Sequence, residues 1–379
     1  MRNKINGLGN YIKNLIWGLS RIDPGNEYIL FATSDSFCHL EGLTKKFDIE
    51  FVPDNAALRR TWEQTVLPWR LNQRRIDVFH GTAFIAPLVK TCAHVISIHD
   101  MTFRLEPKRH LFHSQVYLRA MMPTLIRNSD RIIAVSESAK KDILDFVPID
   151  DQKISVIHHG VQERFAPVKE EERLARIRSK YRLPEDFILY LGVIEPRKNL
   201  EGLVEAYIGQ NLAERINLVL AGGLGWDYSS LLVKITNCKV KEAIHMPGYI
   251  DEADLPALYS AARVFVYPSF YEGFGLPVLE AMACGTPVIT SSVSSLPEVA
   301  GDAAILVDPN NVNALAATLQ RVVTDRELRE ELSLRGLKRV KHFTWGETAR
   351  KTLDVYGFAA RQAGRFRDTV VPHRIRRSA

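Results

Sequence analysis

Two groups of residues have the types and spacing to do chemistry. The first is the stretch YEGFGLPVLEAMACGTPVI, from Tyr271 to Ile289, in which Glu272 and Glu280 stand eight residues apart around Gly273, Gly275 and Pro277. Pro277 suits the first turn of a helix, where its missing N–H costs nothing, and Gly285 suits the helix end. The pattern predicts a loop over SFYEGFG, a helix over 276–284 and a strand after it. Glu272 then lies ahead of the helix and Glu280 about one turn inside it, with the free amides near Gly275–Leu276 between them. Such a helix start favours an anion. Carboxylates repel phosphate, so the partners expected of both glutamates are hydroxyls: a ribose on one side of a phosphate and a transferred hexose on the other. The plainer alternative is that Glu280 supports the helix start and Glu272 faces water.

The second group is YLGVIEPRKNLEGLVEAY, which puts Glu195, Arg197 and Lys198 just beyond a strand and Asn199 at the N-cap of the next helix. Ligands of open α/β sheets bind at carboxyl strand ends. There Arg197 would meet a phosphate through two bonds and Lys198 as a point charge; an exposed basic loop is the alternative. Three Gly-x-Gly turns, at Gly7 and Gly9, Gly223 and Gly225, and Gly273 and Gly275, each precede a helical pattern but lack the third glycine of a dinucleotide fingerprint. They lean toward a phosphate ligand and away from NAD, and no Walker-type loop is present.

The elements that must position these residues are short apolar runs alternating with helical patterns. Strands are expected at 28–33, 49–52, 78–80, 94–99, 131–135, 154–157, 187–191, 216–221, 244–246, 264–267, 287–290 and 304–307. Most are continuous apolar runs, as buried parallel strands are. Helices are expected at 111–127, 138–146, 199–208, 314–323 and 326–340. Two successive βα series mean two doubly wound α/β domains, with a boundary between Gly160 and Pro184. The glycine-rich stretch at the start has no apolar strand before it, so either the first strand of the first domain is missing or the fold there is altered.

With 379 residues, 46% hydrophobic and 25% charged, the chain is long enough for two cores and is not a disordered sequence. No apolar run reaches the roughly 18–20 residues of a membrane span, and no signal peptide is expected at the start. Cys38, Cys92, Cys238 and Cys284 are scattered, which reads as reduced thiols in a cytoplasmic protein without a metal site. A net charge of +6 gives no case for nucleic acid. Arginines cluster at Arg59, Arg60, Arg70, Arg74 and Arg75, and again at Arg374, Arg376 and Arg377. These form either a solvated face or a surface drawn to anionic lipid or an anionic substrate. Trp62 and Trp69 are read as core, with contact to a lipid acceptor as the alternative. His158 and His159 are read as hinge residues lining the site, and His110 and His113 as helix surface.

Together these motifs resemble glycosyltransferase family 4, the retaining nucleotide-sugar transferases of GT-B fold. The resemblance covers most of the chain. It is carried by EPRKNL, by GYIDEADLPALYSAARVFVYPSFYEGFGLPVLEAMACGTPVI and LPEVAGDAAILVDP, and by NGLGNYIKNL, AVSESAKKDI and VIHHGV in the first half. It implies two Rossmann-like doubly wound domains facing across a cleft. These would be an acceptor domain over 1–165, a donor domain over 166–345, and a helix and basic tail over 346–379 whose helix crosses back to the first domain. By position, the resemblance gives Arg197 and Lys198 the donor diphosphate and Glu280 the ribose. Glu272, with Gly273, Phe274, Gly275 and Leu276, would hold the transferred sugar. It makes Gly9 the glycine that lets backbone approach the diphosphate, and Gly248 and Tyr249 the nucleobase wall. His99, in ISIHD, would face the donor sugar and acceptor, with a buried strand-end histidine as the alternative. EPRKN is most similar to the bacterial mannosyltransferases.

The expected reaction is therefore transfer of a hexose, mannose from GDP-mannose, to a glycan or polyprenyl-linked glycan in polysaccharide biosynthesis. Configuration would be retained and no metal or other cofactor used, since no D-x-D motif is present. The expected place is the cytoplasm, peripheral at the inner membrane face. Two rivals remain: a nucleotide-sugar epimerase or hydrolase of the same fold, and a non-catalytic nucleotide-sugar-binding homologue.

Overall fold

The computed structural model describes residues 7–37, 47–102 and 112–364, the side chains of 37 and 112–118 excepted. Cys38, His110, the side chain of His113, and Arg374, Arg376 and Arg377 lie outside the described residues. The chain divides into two compact units, one of residues 1–160 with 345–379 and the other Val161–Thr344.

All twelve strands expected from the apolar runs are present, with ends shifted by a residue or two. In the first unit they are β1 (Ile29–Ala32), β2 (Asp48–Phe51), β3 (Val78–Gly81), β4 (Ala93–Ile98), β5 (Arg131–Ala134) and β6 (Ile154–Val156). Every pairing is parallel, but the strands form two sheets, β1–β2 and β3–β4–β5–β6. The two sheets share a covering helix. Leu67 and Leu71 of Ala56–Gln73 pack with Phe31 of β1 and Phe79 of β3. Only β4 is buried along its whole length, whereas three of the four residues of β1 and of β3 are partly exposed.

The unit is completed by the helix Trp345–Gln362, whose Trp345 and Ala349 pack with Tyr11, Leu15 and Leu19 of the helix Gly7–Ile22. Gly18 makes that approach possible, because a Cβ there would lie 2.9 Å from the Trp345 carbonyl oxygen. Gly7 and Gly9 were expected in a turn ahead of this helix. Instead both belong to its first turn, and neither has a positive φ.

The second unit holds β7 (Phe187–Leu191), β8 (Asn217–Ala221), β9 (Ile244–Gly248), β10 (Val264–Tyr267), β11 (Val288–Ser291) and β12 (Ile305–Val307). They form one parallel sheet in the order β12-β11-β10-β7-β8-β9. The apolar runs are what such a sheet requires: β7, β8, β10 and β11 have almost no exposed side chain. The chain winds outward one way from β7 and the other way from β10. The topological switch point therefore lies between these two strands, where doubly wound sheets open a crevice for ligands.

Candidate functional site

Both motifs singled out in the sequence leave the sheet at that switch point. After β7 the chain makes a tight turn, Pro196–Lys198, and enters the helix Leu200–Gly209. Asn199 is the cap residue, but it does not cap with its side chain. It takes a left-handed conformation (φ 55°), which asparagine tolerates, and its Nδ2 donates to the Pro309 carbonyl at 2.7 Å. The neighbouring loop after β8 is laid directly against this turn. Gly222 has φ 131°, and a Cβ there would fall 1.9 Å from the Gly192 carbonyl oxygen, so only glycine fits.

After β10 the loop Pro268–Gly275 leads into the helix Leu276–Ala283. Gly275 is its N-cap with φ 111°, and Pro277 is the second helical residue. The amides of Gly275 and Leu276 consequently have no acceptor within the helix. The loop is held by the Ser294 hydroxyl, which accepts from the Glu272 amide at 3.0 Å. The Ser295 hydroxyl holds it too, reaching the Glu272 and Phe274 carbonyls at 2.9 and 2.7 Å.

The two loops meet through charge. Lys198 Nζ lies 2.6 Å from Glu272 Oε1 and donates to the Tyr267 hydroxyl at 2.7 Å. Arg197 lies 3.0 Å from Glu272 Oε2, donates to Glu195 Oε1 at 2.7 Å and to the Tyr271 carbonyl at 2.7 Å. Two cations and two carboxylates thus interlock, and Lys198 and Glu272 are both buried. The expectation that Glu272 meets only hydroxyls needs correcting, because its two oxygens are engaged by Lys198 and Arg197. The physical reason is that a buried charge without a partner costs several kcal/mol. Burial would raise the Glu272 carboxyl, but Lys198 and then Arg197 overcome it and hold the group at about 2. Arg197 is pushed the opposite way from its own burial by Glu272 and Glu195, which keep it charged.

Glu280 sits one turn into the helix, as its spacing predicts, and accepts from the Tyr259 hydroxyl at 2.9 Å. Burial pushes its carboxyl up to about 7, against the opposing pull of the Tyr259 hydrogen bond and of Arg164. Gly248 ends β9 with φ 78°, and its carbonyl accepts from Gly222 at 2.7 Å; Tyr249 follows it, partly exposed. Arg164 and Glu252 act electrostatically on both Tyr249 and Glu280.

In the first unit His99 follows β4. Its ring meets Tyr11 and Phe84 edge-on, at 4.6 and 5.7 Å between centroids, and its Nε2 lies 2.9 Å from the Thr82 carbonyl oxygen. A carbonyl can only accept, so the proton is on Nε2 and Nδ1 is the acceptor of the neutral ring. Burial lowers His99, which keeps it neutral near pH 7. Gly9 lies in the first turn of the helix that carries Tyr11. His159 is buried, its ring stacked 5.7 Å from Trp345 and lying 5.6 Å from His99. Trp69 is not core: 58% of it is exposed, whereas Trp62 packs on Phe31. Cys92 and Cys284 are buried free thiols.

Sequence reading missed Tyr259 and Tyr267, the two hydroxyls that hold Glu280 and Lys198. Each stands in an apolar run and reads as core, and only its hydroxyl distinguishes it from phenylalanine.

Known proteins share this fold. Residues 173–339 match the model of the glycosyl transferases group 1, and residues 5–165 that of glycosyltransferase family 4. The chain is 35% identical over 291 residues to the O-antigen chain mannosyltransferase B of Escherichia coli, which is 76% of either protein. It is 31% identical over 264 residues to the serotype-specific mannosyltransferase WbdA of the same species, covering 68% of this chain but 32% of that longer protein. The crystal structure of Anabaena Alr3699/HepE in complex with UDP superposes with a TM-score of 0.73 at 18% identity, over 93% of this chain and 96% of that one. The fold is that of the GT-B glycosyltransferases, and the chain belongs to glycosyltransferase family 4.

Proposed function

We propose that this glycosyltransferase transfers a mannosyl residue from GDP-mannose, with retention of configuration, to a hydroxyl of a glycan or polyprenyl-linked glycan during polysaccharide synthesis. The observation that carries the reading is the pairing of Arg197 and Lys198 with Glu272 at the switch point of a parallel sheet, in the loop that ends at the Gly275 helix cap. Two fixed cations and a helix start favour a diphosphate, and favour it more as negative charge collects on it when the sugar departs. In this scheme the bond between the anomeric carbon and the phosphate oxygen breaks and the acceptor oxygen bonds to the same face. The acceptor proton passes to the leaving phosphate. Glu272 keeps the two cations in place and, with residues 273–276, borders the transferred sugar; Glu280 accepts from the ribose hydroxyls. Gly248 and Tyr249 flank the base, Gly9 gives the diphosphate backbone access, and His99 Nδ1 accepts from a sugar or acceptor hydroxyl. No metal or other cofactor takes part.

The mannosyl assignment rests on EPRKN and on the names of the relatives. We place the protein in the cytoplasm at the inner membrane face. No described helix is long and apolar enough to cross a membrane. The helix Ala56–Gln73 instead presents exposed Leu58 and Trp69 on one face, flanked by Arg59 and Arg70, which pair with Glu63 and Glu50; the apolar pair beside basic groups suits anionic lipid. The test is transfer from GDP-, UDP- and dTDP-sugars with and without acceptor, reading the anomeric configuration of the product. Mannose transferred only when acceptor is present, as the α-anomer, supports the proposal; inverted product, free sugar alone, or no turnover with GDP-mannose refutes it.

A further inference from the structure

Glu280 can discriminate between sugars only if its carboxylate plane is fixed, and one residue fixes it. Tyr259 lies in the helix Leu255–Ala261 and is completely buried. Its ring is wedged edge-on against Phe265 at 5.3 Å and Phe165 at 6.1 Å, and its carbonyl accepts from the Thr286 hydroxyl at 2.8 Å. A ring so confined fixes the place of its hydroxyl, which donates to Glu280 Oε2 at 2.9 Å. The nearby cation does not compete for the role. The guanidinium of Arg164 is committed to Glu252, 3.3 Å from its carboxylate and 3.0 Å from its carbonyl. Among the described residues Tyr259 is the one hydrogen-bond donor to the Glu280 carboxylate. The terminal torsion of a glutamate is otherwise broad, so without this bond the carboxylate would sample many planes.

We propose that Tyr259 is a positioning residue: by holding Glu280 Oε2 it aims Oε1 at the ribose and gives the donor site its preference for ribonucleotides over 2′-deoxyribonucleotides. This rests on the proposal that Glu280 binds ribose. A site built to bond a hydroxyl rejects the analogue lacking it far more strongly than an apolar site can, because its buried acceptor is left unpaired. That advantage needs a pre-oriented acceptor, since orientation paid for before binding is not paid for again.

The experiment measures binding of GDP and 2′-deoxy-GDP, with UDP and 2′-deoxy-UDP alongside, to the wild type, Y259F, E280Q and F165L, together with KM and kcat for GDP-mannose. Y259F keeps the ring and loses only the hydroxyl. F165L loosens the same ring and keeps the hydroxyl. The wild type is expected to prefer the ribo form at least ~10-fold. E280Q should lower that preference most. Y259F should lower it about 3–10-fold, in KM and not kcat, while F165L, which keeps the hydroxyl, lowers it less. If E280Q keeps the wild-type preference, or the wild type has none, the ribose reading of Glu280 fails. If E280Q loses it and Y259F does not, or F165L loses as much as Y259F, Tyr259 is packing and the inference is overturned.

Discussion

Lys198 Nζ and Glu272 Oε1 lie 2.6 Å apart, although 74 residues separate them in sequence. One follows β7 and the other follows β10, so the ion pair closes the switch point of the sheet. It also means that a diphosphate arriving there meets cations already held by a carboxylate. Replacing Glu272 by glutamine keeps the shape and removes the counter-charge of two buried cations. We expect E272Q to lose about 3–5 kcal/mol of stability, as breaking a buried pair does. GDP should restore more of the melting temperature in the variant than it adds to the wild type. Thermal unfolding with and without GDP checks this; a variant as stable as the wild type contradicts it.

Arg197 and Lys198 are assigned to charge that develops during the reaction, and His99 to a hydroxyl. R197A and K198A should therefore each lower kcat about 100- to 1,000-fold, the scale of removing one transition-state donor. H99A should cost about 100-fold or less. Steady-state kinetics on protein shown to unfold cooperatively decides each case. Undiminished turnover in both R197A and K198A removes the pair from the chemistry.

The two glutamates should leave opposite marks on stability. Glu272 is held at about 2 in the folded chain, below the roughly 4.3 of an unfolded glutamate. Its contribution is complete above ~4.3 and is lost as the pH falls toward 2. Glu280 is raised to about 7, so between ~4.3 and 7 the folded chain holds the extra proton and stability declines as pH rises. Burial sets this value, with Glu252 adding to it and Tyr259 and Arg164 opposing it. Melting temperatures from pH 3 to 8 should show E280Q flattened between ~5 and 7 relative to the wild type. Parallel curves there would contradict the assignment.

Gly275 caps the helix with φ 111°, and a Cβ at this position would lie 2.8 Å from Leu296 Cδ2. G275A should cost about 1–3 kcal/mol and, by shifting the helix start, raise the KM for the donor. Calorimetry and kinetics on this variant test the point; wild-type values of both would show that the cap is dispensable.

The strands were legible because each is a continuous apolar run, and the loop–helix geometry around Glu272 and Glu280 because Gly275 and Pro277 admit few backbones. What sequence could not give were relations between distant segments. The Glu272 ion pairs depend on β7 and β10 being neighbours, which strand order decides and local pattern does not. The split of the first unit into two sheets is likewise a matter of pairing. Asn199 misled because asparagine serves equally as a side-chain cap and as a left-handed residue. Trp69 misled because a tryptophan in a helix does not declare its face; Leu67 and Leu71, on the buried side of that helix, do.

The most direct test of the account is a crystal structure of the protein with GDP. The account predicts the diphosphate within hydrogen-bonding distance of Arg197, Lys198 and the amides at Gly275–Leu276, with the ribose hydroxyls on Glu280. A nucleotide bound elsewhere on the chain, with Glu272 still clasping both cations and its helix start untouched, would contradict it.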